Sequence, residues 1–112
     1  MPMTVISGTI PAGGFLSSAM DASTGNPVFV QAPTLWTPAN ISFQISADGI
    51  TFADWFDWNG KEVILPCRAG TAWLVLTDIL GAKGAHMKVR SGSRDSPVVQ
   101  EADRVFKFVI ES

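Results

Sequence analysis

Between residues 41 and 47 the chain reads Ile-Ser-Phe-Gln-Ile-Ser-Ala, apolar at every odd position and polar at every even one. A period of two predicts a half-buried strand, with Ile41, Phe43, Ile45 and Ala47 on one face and Ser42, Gln44 and Ser46 on the other. Asp48-Gly49 follows, a pair suited to the centre of a two-residue type I′ hairpin, and residues 50–56 then form the return strand. In that register Ala47 faces Ile50, Ile45 faces Phe52 and Ile41 faces Phe56, so core side meets core side. The same register sets Trp55 opposite Ser42 on the polar face, beside Ala53 and Gln44, where a large aromatic group suits a contact surface.

Asn59-Gly60 is a second hairpin signal, leading into 62–65 before Pro66 breaks the ladder. Residues 5–10, 28–31, 72–76, 87–90 and 105–110 also read as strands, and 15–20 as a weaker one. Gly81 and Gly84 limit 76–84 to one helical turn at most, while 32–40 and 91–102 are irregular.

About eight short strands with frequent turn signals predict an all-β fold, a two-layer antiparallel β-sandwich of jelly-roll-like form; a closed barrel is the competing architecture. The length of 112 residues fits one domain, 1–112, with the apolar stretch 1–10 able to lie along a neighbour as an N-terminal arm.

Composition adds one unusual feature. Charged residues make up 16% of the chain, against about 25% in typical soluble domains, so part of the surface is expected to be covered by other protein. The net charge of −2 supplies no attraction to phosphate backbones or anionic lipids, and the expected partners therefore include neither nucleic acid nor membrane. The start lacks the pattern of an export signal and no segment has the apolar length of a membrane helix, which predicts a soluble product of the cytoplasm. Cys67 is the only cysteine, so no intrachain disulfide and no thiolate cluster for a metal are expected.

Candidate chemistry is sparse. His86, the only histidine, stands without a flanking motif and reads as a solvated or interface residue. Asp54 and Asp57 are spaced closely enough to consider a glycosidase acid–base pair, but turn chemistry accounts for them better. Asp48-Gly49 lacks the further oxygen ligands of a calcium loop, and the glycines form no phosphate-cradling motif. No cofactor and no catalytic residue are expected. Lys88, Arg90 and Arg94 form the most basic stretch, read as a solvated face or a salt-bridging interface. Four tryptophans without a single tyrosine are the clearest excess. Trp73, in an apolar run, is expected in the core, whereas Trp36, Trp55 and Trp58, together with Gln44 and Arg90, are the candidate interface residues.

The stretch 35–49, with its pattern W-x-x-A-N-I-x-F-Q-x-S-x-D-G, resembles small proteins encoded among the head genes of tailed bacteriophages and phage-derived gene transfer agents. Residues 88–93 and 97–104 extend the likeness, while Phe56-Asp57-Trp58 and Cys67 depart from it. The resemblance implies a β-sandwich in the virion head, without enzymatic activity: a capsid decoration protein, or the base of a head spike or fibre, assembled in the bacterial host cytoplasm. It implies major capsid or other head proteins as partners, a spike or fibre protein as a further one, and self-association as a trimer or pentamer. Two readings compete. One is a jelly-roll module that stacks Trp36, Trp55 or Trp58 on bacterial surface glycans, with Gln44 or Asp54 bonding hydroxyls; the other is a glycoside hydrolase using Asp54 and Asp57.

Overall fold

The structure is a computed structural model, described here for residues 3–74 and 85–111. Nine strands appear among these residues: β1 (Met3–Ile10), β2 (Met20–Asp21), β3 (Asn26–Gln31), β4 (Ile41–Ser46), β5 (Ala53–Asp54), β6 (Ile64–Leu65), β7 (Ala72–Leu74), β8 (His86–Ser91) and β9 (Arg104–Glu111). They build two antiparallel sheets, one in the order β1-β9-β3-β7 and the other β2-β8-β4-β5, with β6 also on β4. The pairs are nested: β1 with β9, β2 with β8, β3 with β7, and β4 with β5 and β6. A long antiparallel ribbon rolled up on itself gives this order, so the sandwich is a jelly roll and not a closed barrel. Because β5 and β6 share the edge of β4, nine strands fill eight jelly-roll positions.

Alternation along β9 shows why the sheets face each other. Arg104, Phe106, Phe108 and Ile110 are buried, while Val105 and Lys107 between them are exposed. Phe106 and Phe108 meet Phe43, Ile41, Met87 and Val89 of the opposite sheet in one cluster with Ile10, Met20 and Val30. Phe43 and Phe108 pack edge to face at 6.3 Å. Full burial of such side chains stabilises the fold by about 1.5–3 kcal/mol each.

Residues 3–10 do not form an arm: β1 is an integral edge strand, in register with β9 over its whole length. Of the weak stretch 15–20, only Met20 enters a strand, although Leu16 bridges to Arg90. The expected helical turn within 76–84 and the core placement of the Trp73 side chain lie outside the described residues.

The hairpin after β4 differs from the type I′ expectation. Gly49 has φ 78°, but Asp48 does not share the positive φ that such a turn needs at both central positions. Instead the Asp48 carboxylate accepts from the N–H groups of Ile50 (2.8 Å) and Thr51 (3.0 Å), and Ser46 Oγ accepts from those of Asp48 and Gly49. Those backbone donors hold the Asp48 carboxyl down at about 2. The loop is therefore longer, and Ile45 pairs with Ala53, one residue away from Phe52. A one-residue slip exchanges the two faces of the return strand. Trp55 consequently turns inward, against the core and edge-on to Phe43 at 6.0 Å.

The second turn also departs from a hairpin that pairs 50–56 with 62–65. β6 does not pair with β5; the two lie end to end along β4, and 56–62 project between them as a small hairpin closed by a Phe56·Glu62 bridge. Gly60 takes the positive φ at its tip, and Asp57 Oδ1 accepts from the N–H groups of Asn59 and Lys61.

Candidate interaction surface

The outer face of the β2-β8-β4-β5 sheet carries the polar half of the β4 alternation. Ser42 lies opposite Arg90 and Gln44 opposite Lys88, with Asp54 beside Gln44. Arg90 is buried and spends every guanidinium nitrogen. Nε donates to Ser42 Oγ (2.9 Å), Nη1 to Asp54 Oδ1 (2.6 Å) and Nη2 to Glu62 Oε2 (3.0 Å). The Ser42 hydroxyl in turn donates to the Gly92 carbonyl at 2.7 Å. Arg94 closes the ring, with Nε on Asp54 Oδ2 and its backbone N–H on Glu62 Oε2. Gln44 reaches Asp54 Oδ1 at 3.4 Å, a weak contact. Hydrogen bonding to Arg90 is the main reason the Asp54 carboxyl is held below the usual carboxylate range.

This network ties both feet of the 56–62 hairpin to the sheet, Asp54 before it and Glu62 at its end. At the tip Trp58 is 94% exposed, and Phe56 at the base is partly exposed beneath the Arg94 guanidinium, 5.9 Å away. A large aromatic group is thus presented to solvent from an anchored base.

The candidate residues therefore divide. Gln44 and Arg90 meet in one network, and Trp58 stands on the hairpin that the network anchors. Trp36 and Trp55 do not join them. Trp36 is buried at the other sheet, edge-on to Phe106 at 5.2 Å, with its indole N–H on the Ala39 carbonyl at 3.0 Å. Neither Trp36 nor Trp55 is displayed as an anchor. Ser42 and Glu62 belong to the network but were not singled out for it by pattern, whereas Arg94, read with Lys88 and Arg90 as a solvated or salt-bridging stretch, does salt-bridge Asp54. Glu62 lies 28 residues from Arg90, a separation at which periodicity gives no signal. Asp54 is engaged by two arginines, and Asp57 Oδ1 accepts from two backbone N–H groups of its own turn, the structural roles expected of such residues. Among the described residues no group of three or more His, Cys, Asp or Glu side chains is placed to hold a metal.

A second surface lies on β1. Thr9 exchanges hydrogen bonds with Ser18, its carbonyl accepting from the Ser18 N–H at 3.1 Å and its N–H donating to Ser18 Oγ at 3.2 Å. Thr9 therefore points its backbone away from β9, and by antiparallel alternation so do Met3, Val5 and Ser7. Among the described residues no strand pairs with this side of β1, these three carry no charge and include no proline, and the Met3 and Val5 side chains are exposed. Val5 also lies in line with Val109 and Phe29 across the outer face of the sheet.

Compared with protein-family models, curated proteins and solved structures, the chain finds no match in any of the three.

Proposed function

We propose that this protein is a non-enzymatic structural subunit of a phage-type particle head, a capsid decoration or the base of a head spike or fibre, which binds head proteins and copies of itself. The observation that carries the reading is Trp58, 94% exposed on a hairpin whose feet are tied to Arg90. A tryptophan side chain offers roughly 150–250 Å² for burial, which at about 25 cal/mol per Å² gives ~4–6 kcal/mol before ordering costs. An anchored base lowers those costs, as expected of an interface hot spot. The uncharged edge of β1 supports self-association, because edges that stay single usually carry charge, proline or a covering segment. The phage-head assignment itself draws on the resemblance of 35–49, 88–93 and 97–104.

The glycan-binding alternative is less well supported. Stacking platforms present aromatic faces together, whereas Trp36 and Trp55 point inward and leave Trp58 by itself among the tryptophans whose side chains are described.

The test is light scattering on the purified protein, with and without purified shells of the corresponding particle. Saturation at a fixed copy number, weakened at least tenfold by Trp58→Ala, is expected. A wild-type protein that ignores the shells would overturn the proposal, and bacterial surface glycans would then be titrated.

A further inference from the structure

The fold contains two buried arginines, and they are used differently. Arg90 is saturated by Ser42, Asp54 and Glu62. Arg104, at the start of β9, is 6% exposed and donates through Nε to Gln100 Oε1 at 3.0 Å. Among the described residues no carboxylate lies within ion-pair distance of it, and neither Nη has a hydrogen-bond acceptor.

Gln100 explains how the guanidinium is held. It is fully buried; its Oε1 also accepts from the Thr37 N–H at 3.0 Å, and its Nε2 donates to the Thr37 carbonyl at 3.0 Å and to Ser91 Oγ at 2.9 Å. Both ends of the amide are occupied, so Arg104 is fixed through Nε alone. Arg104 lines two shallow clefts, of about 400 and 510 Å³, which share Leu35 and Ala102. Asp103 and Lys107 line the first, and Trp36 and Glu101 the second. Asp103 is engaged in accepting the Ala12 N–H at 2.8 Å. Leu35, 71% exposed, forms an apolar rim.

We infer that Arg104 is a receptor for a carboxylate, bound end-on through its two Nη groups, and that the carboxylate comes from an acidic side chain of a protein partner with an apolar residue next to it. A guanidinium matches the two oxygens of a carboxylate in one plane, and a buried cation gains most from such a partner. With Nε taken by Gln100, the Nη1/Nη2 edge is the one left for bidentate pairing. The Leu35 rim favours a peptide with an apolar side chain over an acidic sugar. The inference is independent of the assignment to a particle head, and its test uses no shells.

The probe is the dipeptide acetyl-Leu-Glu-amide, followed by NMR through the Arg104 Nε–H and Trp36 indole N–H resonances of the labelled full chain. Saturable shifts of both are expected, with at least tenfold weaker binding of acetyl-Leu-Gln-amide and loss of binding in Arg104→Met. Since Arg104→Met removes a buried side chain, Glu101→Gln supplies the second variant. Removing the competing negative charge beside the cleft should tighten the Glu peptide by about threefold, the scale of a screened charge contact. Equal binding of the two peptides, or unchanged affinity in Glu101→Gln, would overturn the carboxylate site. Glucuronate binding as tightly as the Glu peptide would overturn the protein partner as its source.

Discussion

Replacing Arg90 by Met keeps much of the side-chain volume and removes the charge on which the outer face of the β8-β4 ladder is organised. Asp54 and Glu62 then face each other without their shared cation, and Ser42 loses a donor. Side-chain exposures of 5%, 26% and 13% for Arg90, Asp54 and Glu62 place the arginine inside and its partners at the margin. Breaking a fully buried pair costs about 3–5 kcal/mol, and the partly wet carboxylates reduce this to about 2–3 kcal/mol. With a urea slope near 1.5 kcal/mol/M, the unfolding midpoint should fall by about 1.3–2 M. The pH dependence supplies a second readout. Asp54 has a lowered folded pKa, so its contribution is fully present above the ordinary carboxylate value and is lost as pH falls through the folded one. Arg90→Met should therefore flatten the acid limb of stability below about pH 4 as well as lower the plateau. A midpoint shift under about 0.3 M, or an unchanged acid limb, would refute the view that Arg90 holds this face together.

Gly92 has φ 87°, and a Cβ there would stand 2.4 Å from the Ser96 carbonyl oxygen; Gly92→Ala should lower stability by at least about 2 kcal/mol in urea unfolding. Val5→Lys places a charge on the free β1 edge, so any rise of light-scattering mass with wild-type concentration should disappear; equal association of the variant would exclude that edge as the self-contact. Burial pushes the Cys67 thiol up to about 12, so alkylation at pH 8 should be at least about a hundredfold slower in the native protein than in urea.

How much of this was legible in the sequence depends on the range over which each interaction acts. Alternation, strict at 41–47 and near to it at 87–90 and 105–110, located these strands to within a residue or so of Ile41–Ser46, His86–Ser91 and Arg104–Glu111. It also assigned Ser42, Gln44 and Ser46 correctly to the outer face. Partners were not legible, since pairing β1 with β9 joins the two ends of the chain and no local pattern encodes it. The hairpin at Asp48-Gly49 failed for a local reason of a different kind. Asp48 can serve a tight turn through its backbone or a wider one through its carboxylate, and the sequence does not separate these options. The resulting one-residue slip carried Trp55 from the expected surface to the core. Trp36 failed similarly: it was expected at a contact surface, yet the indole N–H found the Ala39 carbonyl and the ring found Phe106.

The low charge content takes on a sharper meaning once the charges are placed. Eight basic and ten acidic side chains already leave the chain poor in charge. Arg90 and Arg104 are buried, and Asp54 and Glu62 are drawn into the Arg90 network, so these four contribute little to the outer surface. What faces solvent is correspondingly richer in side chains such as Trp58, Ile50, Leu35 and Val5, all well exposed. Net charge cannot keep such a surface apart from its neighbours at short range, because −2 spread over a sandwich of 35 × 29 × 24 Å gives only a weak repulsive field. The internal use of charge and the outward use of apolar groups therefore point the same way. Arg90 ties the feet of the 56–62 hairpin to the sheet from within, while apolar side chains such as Trp58 are left exposed at the surface, and under the proposed function these are the groups that would meet other protein.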